Sequence, residues 1–243
     1  FSRDHTERML LKMGIPVQSR KVSLDGQMFY ETQMDVQQPV HLPTLQMAIP
    51  GDFSSAAFLL AAGLITPGAQ VEIRGVGLNP TRTGLLDVFQ QMGGDIRVDS
   101  LRDEGGEPVG DVIVRFSSLK GIDIDGETVV RMIDEFPVFA VVACFAQGTS
   151  RVSQAEELRH KESDRITSLC AELVKVGANI EETTDGFIIK GTGKLAGGVI
   201  DPHQDHRLAM SLAVAGLASA GAVRIEHAEI MNESFPEFAA ILT

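Results

Sequence analysis

The run Glu156-Glu157-Leu158-Arg159-His160-Lys161-Glu162-Ser163-Asp164-Arg165 decides how the rest of the chain is read. Ile166, Leu169, Cys170, Leu173, Val174 and Gly177 follow it at helical spacing. The run therefore predicts the opening of a helix that continues to Lys175, with one face on a core. Lys161 and Arg165 then lie one turn apart on the same face of its first turn. That is the wrong end for cations, because a helix start carries unpaired N–H groups and partial positive charge. Two readings stand: a solvated cluster in which Glu162 and Asp164 pair weakly with the cations, or a site built to hold an anion. The second gains weight because a cation at a helix start recurs along the chain.

At 243 residues there is ample material for one large domain, or one domain and part of another. A hydrophobic share of 44% and a charged share of 22% are ordinary for a globular protein. The net charge of −12 argues against a general binder of nucleic acid or anionic membrane, while leaving room for a local basic cleft. The two cysteines, Cys144 and Cys170, fall in apolar helical runs and read as buried free thiols, which fits a reducing, cytoplasmic compartment. No stretch is long and apolar enough to span a bilayer, and no signal peptide is evident. A chain that opens at Phe1 rather than Met is expected to be a piece of something longer.

Taken in order, the elements repeat. Residues 3–13 predict a helix with Ser2 as its cap, followed by strands at Val17–Ser23 and Gln27–Thr32 joined by a hairpin at Asp25-Gly26. Gln37 to Pro43 reads as a connector. From Leu45 the pattern is strand, helix, strand, helix, strand, strand. Its helices are Phe53–Leu64 and Thr81–Met92, and its strands include Val71–Arg74, Asp95–Leu101 and Val112–Phe116. Residues 119–190 run the same way: Ile122–Ile124, a helix Met132–Ala146, Arg151–Gln154, the Lys161 helix, Asn179–Glu182 and Phe187–Lys190. A third copy has a strand at Val199, a helix His206–Ser219, a strand Val223–His227 and a helix from Phe235. The period of roughly 70 residues is too long for a solenoid bead, so each βαβαββ copy is a packed layer. Ala56–Ala62 and Val138–Phe145 carry hardly any charge, so these helices belong inside, with mixed sheets outside.

Residues at the predicted helix starts include Ser2-Arg3-Asp4, Asp52-Phe53-Ser54, Thr81-Arg82-Thr83 and Asp205-His206-Arg207. Capping accounts for Asp52, Thr81 and Asp205, but not for the arginines or Lys161. Converging helix starts with fixed cations suit phosphate or carboxylate. Asp134, heading a buried helix, is either a cap or, beside such a cleft, an acceptor for a substrate proton. His41, His203 and His227 show no metal-ligand spacing, and no glycine-rich dinucleotide fingerprint follows a strand. Asp103-Glu104-Gly105-Gly106-Glu107 reads as a solvated hairpin tip.

The Leu158–Arg165 run resembles the signature of the EPSP synthases, the 3-phosphoshikimate 1-carboxyvinyltransferases. So do Pro50-Gly51-Asp52-Phe53-Ser54-Ser55-Ala56, Asn79-Pro80-Thr81-Arg82, Ile133-Asp134-Glu135-Phe136-Pro137, Asp205-His206-Arg207-Leu208-Ala209-Met210 and Ser234-Phe235-Pro236-Glu237, in the family's order. Ser2-Arg3-Asp4-His5-Thr6-Glu7 is most similar to the glyphosate-tolerant bacterial branch. The resemblance implies a mixed α/β enolpyruvyl transferase-like inside-out barrel: two domains of three βαβαββ units each, with the site between them. On that plan residues 1–48 are the tail of the first domain and 49–243 the second, its last unit cut short. Most of the first domain, with its own Lys, Ser and Arg ligands, would be missing.

The reaction implied transfers the enolpyruvyl group of phosphoenolpyruvate to the 5-hydroxyl of shikimate 3-phosphate through a tetrahedral ketal, without metal or organic cofactor. By resemblance Asp134 is the base on the 5-hydroxyl, Lys161 bridges shikimate 3-phosphate and the reacting centre, and Glu162 is a proton-transfer partner. Arg165 and Arg207 resemble the phosphoenolpyruvate clamps, and Arg3 a shikimate 3-phosphate contact. His206 orients its neighbours on this reading. Two positions depart from many family members: Glu233 stands where a phosphoenolpyruvate-binding Lys is common, and Glu157 where some carry Asn. The implied partners are the two substrates and the missing domain, in an otherwise monomeric protein with no nucleic-acid or membrane partner. The alternatives are the sister transferase acting on UDP-N-acetylglucosamine, and a non-catalytic half that docks with its missing domain.

Overall fold

The computed structural model describes residues 2–34 and 43–242. The segments that are apolar on every side have become its centre. Helices α2 (Phe53–Ile65), α5 (Phe136–Phe145) and α7 (His206–Ala218) pack on one another, and α2 and α5 carry no charged side chain. Such helices have no face to offer water and persist only when surrounded. Their starts are specified locally. The Asp52 carboxylate accepts from the Ser55 amide at 2.7 Å, and Asp205 accepts from the Arg207 and Leu208 amides at 2.9 and 3.3 Å. Pro137 sits in the first turn of α5, where its missing N–H has no partner to lose.

The outer layer repeats one strand order. In the first full copy Gly51 bridges Val76 in parallel, and β3 (Gln70–Gly77), β4 (Asp95–Glu104) and β5 (Glu107–Arg115) form an antiparallel sheet ordered β3-β5-β4, with α3 (Gly84–Gln91) between β3 and β4. The second copy is β6 (Asp123–Ile124), a short α4 (Gly126–Arg131), α5, β7 (Gly148–Val152), α6 (Arg165–Lys175), β8 (Ile180–Thr183) and β9 (Gly186–Gly191), ordered β6-β7-β9-β8. Its β6 and β7 are parallel, as a helical crossover requires, and the remaining pairs are antiparallel. In the third copy β10 (Gly198–Ile200) and β11 (Val223–Ile225) are parallel across α7, and α8 (Phe238–Leu242) follows a 3-10 turn. Ahead of all three stand α1 (His5–Lys12) and the hairpin of β1 (Val17–Leu24) and β2 (Gln27–Met34), turning on Asp25 and Gly26, both at positive φ.

Several boundaries differ from the sequence reading. The helix expected over Glu156–Lys175 is two pieces: a 3-10 turn over Glu156–His160, a break, then α6. Asp164 causes the restart by accepting from the Thr167 amide at 3.1 Å, while Arg159 holds Asp164 at 2.9 Å and the Thr183 carbonyl at 2.7 Å. Lys161 therefore lies in the break rather than in a helical turn with Arg165. The helix expected over Met132–Ala146 starts at Phe136, leaving Asp134 in the turn before it and not as its cap. The helix expected over Thr81–Met92 starts at Gly84, because the Thr81 hydroxyl is engaged with Asn79 at 2.7 Å instead of capping. Asp4, not Ser2, occupies the cap position of α1. No strand forms at residues 45–50 beyond the Gly51 bridge, and α8 begins three residues after Phe235. The Asp103–Glu107 tip is not solvated throughout, since Glu107 is buried and meets His5 at 2.8 Å while Lys12 reaches Asp103 at 3.2 Å. The connector from Gln37 and His41 within it lie outside the described residues.

The core arrangement fixes where truncation is costly. Phe139 is fully buried in α5, edge-to-face with Phe136 at 6.2 Å. Phe139→Ala is expected to lower stability by about 3–5 kcal/mol in urea unfolding, whereas Ile49→Ala at a largely exposed position changes it by less than about 0.5 kcal/mol.

Candidate active site

The starts of α2, α5, α6 and α7 are tied together by charged side chains. Asp134 lies at the centre, in the turn ahead of α5, with only 11% of its side chain exposed. Arg3 donates to its Oδ2, Arg82 Nη1 stands 3.5 Å from the same oxygen, and Arg165 Nη1 and Lys161 Nζ lie 3.8 and 4.0 Å from Oδ1. Burial pushes the Asp134 carboxyl up, but the charges of Arg207, Arg3, Arg82 and Lys161 outweigh it and hold the group below the ordinary value of 3.8. Asp134 is therefore an ionised carboxylate in a ring of cations drawn from distant parts of the chain.

Each cation is set by its own segment. Arg3 sits at φ 58° just before α1, its amide donating to Thr81 Oγ1 at 3.0 Å. Arg82 stands two residues before α3, and Lys161 in the break before α6, where Glu157 pairs with it at 2.8 Å. Only Arg165 and Arg207 occupy a helical first turn, so the recurring cations are mostly loop residues beside helix starts. Arg165 is the most enclosed. Its Nε lies 2.7 Å from Asp205 and its Nη2 2.6 Å from Glu162. Removing two charges from water is costly, and Asp205 offsets this through the two α7 amides it also caps. Glu162 is half exposed at the rim. His206 is half-buried, and burial, then the Arg207 charge, holds its imidazole below the usual range.

The structure thus brings together all six residues singled out by resemblance: Arg3, Asp134, Lys161, Glu162, Arg165 and Arg207. Glu157 becomes the partner of Lys161, while Glu233 lines a separate cavity with Asp201, His203 and His227. Burial pushes the Cys144 and Cys170 thiols up to about 12, as inert interior groups. Three participants were missed as site residues: Arg82, Ser54 and Glu135. The Arg82 motif and the acidic pair Asp134-Glu135 were visible, but their convergence depends on a turn 52 residues away in sequence from Arg82. Among the described residues no cluster of His, Cys, Asp and Glu is placed to hold a metal, and no helix is long and apolar enough to cross a membrane.

Comparison with known proteins gives a consistent result. The family model described as EPSP synthase (3-phosphoshikimate 1-carboxyvinyltransferase) matches residues 1–242. A 3-phosphoshikimate 1-carboxyvinyltransferase of Geobacter sulfurreducens is 47% identical over 242 residues, covering 100% of this chain and 54% of the relative. That of Herpetosiphon aurantiacus is 48% identical, covering 98% and 53%. An EPSP synthase structure from Acinetobacter baumannii superposes with a TM-score of 0.88 at 39% identity, covering 99% of this chain and 54% of that one. The enolpyruvyl transferase NikO of Streptomyces tendae, at 16% identity and a TM-score of 0.66, shares the fold. The chain spans about half the length of the curated relatives it matches.

The Asp134 ring has a defined pH signature. A folded-state carboxyl held below 3.8 contributes stability that is present above that value and is lost as pH falls through the depressed one. Asp134→Asn is expected to cost about 2–3 kcal/mol at neutral pH, since it leaves buried Arg82 and Arg165 less compensated. In urea unfolding that gap should close as the pH drops below 3.8. A gap independent of pH would show that the carboxylate charge is not what the ring stabilises.

Proposed function

Because the chain belongs to the EPSP synthase family, we propose that the protein to which it contributes transfers the enolpyruvyl group of phosphoenolpyruvate to the 5-hydroxyl of shikimate 3-phosphate, releasing phosphate. The observation that carries this reading is the ring of cations around ionised Asp134. Two phosphates and two carboxylates must be held side by side, and only converging fixed cations do so without large reorganisation. Residues 1–48 belong to the end of one domain and 49–243 to a second, with the substrates between them, in a cytoplasmic monomer.

In this scheme Arg3 and Lys161 hold shikimate 3-phosphate, and Arg165 and Arg207 hold phosphoenolpyruvate. Asp134 takes the proton of the 5-hydroxyl as its oxygen bonds to C2 of phosphoenolpyruvate, while C3 receives a proton relayed by Lys161 or Glu162. The resulting ketal loses a proton from C3 and expels phosphate, restoring the double bond. The electrostatics supply a trigger. The cations by themselves keep Asp134 a weak base. Substrate phosphates neutralise those cations while burial remains, so the carboxyl rises in basicity when the hydroxyl is in place. Arg165 must exchange its Glu162 partner for substrate and keep Asp205, which frees Glu162 at the moment a proton donor is needed.

Phosphate release from the two substrates tests this reading. The chain alone, lacking the half of its relatives that it does not span, is expected to show no turnover, and mixing with that half should restore it. In the complete protein Asp134→Ala should lower kcat by about 10²–10⁴-fold. Turnover by the chain alone would overturn the divided site. Silence of the complete protein would redirect the reading to the UDP-N-acetylglucosamine transferase or to a docking role, and binding of the nucleotide sugar would separate those.

A further inference from the structure

Directly behind the Asp134 ring lies a buried carboxyl with no part in the scheme above. Glu135 is 2% exposed, occupies the cap position of α5 without capping it, and has one oxygen, Oε2, buried with no partner. Its other oxygen accepts from the Ser54 hydroxyl at 2.5 Å. Arg82 Nη2 donates to Ser54 Oγ at 2.8 Å and stands 3.5 Å from Glu135 Oε1, while its Nη1 faces Asp134 Oδ2 at 3.5 Å. One guanidinium thus spans two adjacent carboxyls, and its 2.8 Å bond to Ser54 is shorter than either direct approach. An arginine with 10% exposure and two long contacts needs a third group to fix its orientation. Ser54, oriented in turn by Glu135, is that group.

We propose that Glu135 is a positioning residue that acts through Ser54 to hold Arg82 against Asp134, and so sets the charge state of the reacting carboxylate. The proposal rests on the reading of Asp134 as the base, but its test does not require turnover. Glu135 faces Arg82, Asp134 and Arg207, and Asp134 faces Arg3, Arg82, Lys161, Arg165 and Arg207. Burial pushes Glu135 above the ordinary 4.5, against the opposing pull of Arg82, while Asp134 lies below 3.8. Glu135 therefore takes up its proton ahead of Asp134 as the pH falls. Any charge that deleting Glu135 removes from the surroundings of Asp134 is negative. A direct electrostatic role therefore predicts no change or a fall in the Asp134 titration, and a positioning role predicts a rise, because Arg82 is released.

The experiment follows the side-chain carboxyl carbon of Asp134 by NMR across acidic pH in the chain and its variants. Glu135→Ala should raise the Asp134 titration by about half a unit to one unit, as expected for loosening one of several cations within 4–6 Å. Ser54→Ala should do the same, and Glu135→Gln, which keeps an acceptor for the serine, should leave it in place. In an Arg82→Ala background Glu135→Ala should add nothing, because the route through Arg82 is gone. If acid unfolds a variant first, the rotation of the Arg82 guanidinium read at neutral pH decides: slow in the parent and in Glu135→Gln, fast in Glu135→Ala. An unchanged Asp134 titration with an equally restrained Arg82, or a shift that persists without Arg82, would overturn the proposal. Phosphate release by the complete protein then tests the enzymatic reading separately: a kcat loss in Glu135→Ala restored by Glu135→Gln is expected.

Discussion

Arg3, Arg82, Lys161, Arg165 and Arg207 approach one carboxylate, Asp134, from four separate segments of the chain. So many cations in a half-buried space repel one another, and three of them are also anchored elsewhere. Arg165 leans on Asp205, Lys161 on Glu157 and Arg82 on Ser54. Those anchors stand at or beside the starts of α2, α6 and α7. The positions of the central helices and the electrostatics of the site are therefore one problem, solved by the same side chains. A site assembled this way is sensitive to the register of every helix that feeds it.

The packing explains why register is dependable. Helices α2 and α5 have no polar face, so neither can turn without exposing apolar surface, and α7 is locked by the Asp205 cap and ion pair. Each lies between parallel strands or bridges of its own copy, and the repeated strand order places equivalent helix ends on one side. Under the proposed function, repetition of the fold gathers the cations that would hold the substrate anions, and the chemistry falls to residues that differ between copies: Asp134 in the second, Arg207 in the third.

Much of this was legible in the sequence because its causes are local. Charge-free runs such as Val138–Phe145 announce burial, Asp25-Gly26 announces a hairpin, and Asp52 and Asp205 announce helix starts. The misplacements have causes that are not local. The break at Lys161 depends on Arg159 reaching the Thr183 and Thr184 carbonyls of a strand end. The late start of α3 depends on Thr81 serving the Asn79 side chain and the backbone of Arg3. Arg82 meets Asp134 and Glu135 across 52 and 53 residues of sequence, with Ser54 between Arg82 and Glu135, a tertiary contact that neither motif reveals alone.

The most direct test of the account is a crystal structure of the complete protein with shikimate 3-phosphate and phosphoenolpyruvate bound. The account predicts Asp134 within hydrogen-bond distance of the 5-hydroxyl, Arg3 and Lys161 on shikimate 3-phosphate, and Arg165 and Arg207 on phosphoenolpyruvate. It also predicts that Arg165 keeps Asp205 and releases Glu162. Substrates seated away from Asp134, or an Arg165–Glu162 pair still closed over bound phosphoenolpyruvate, would contradict it.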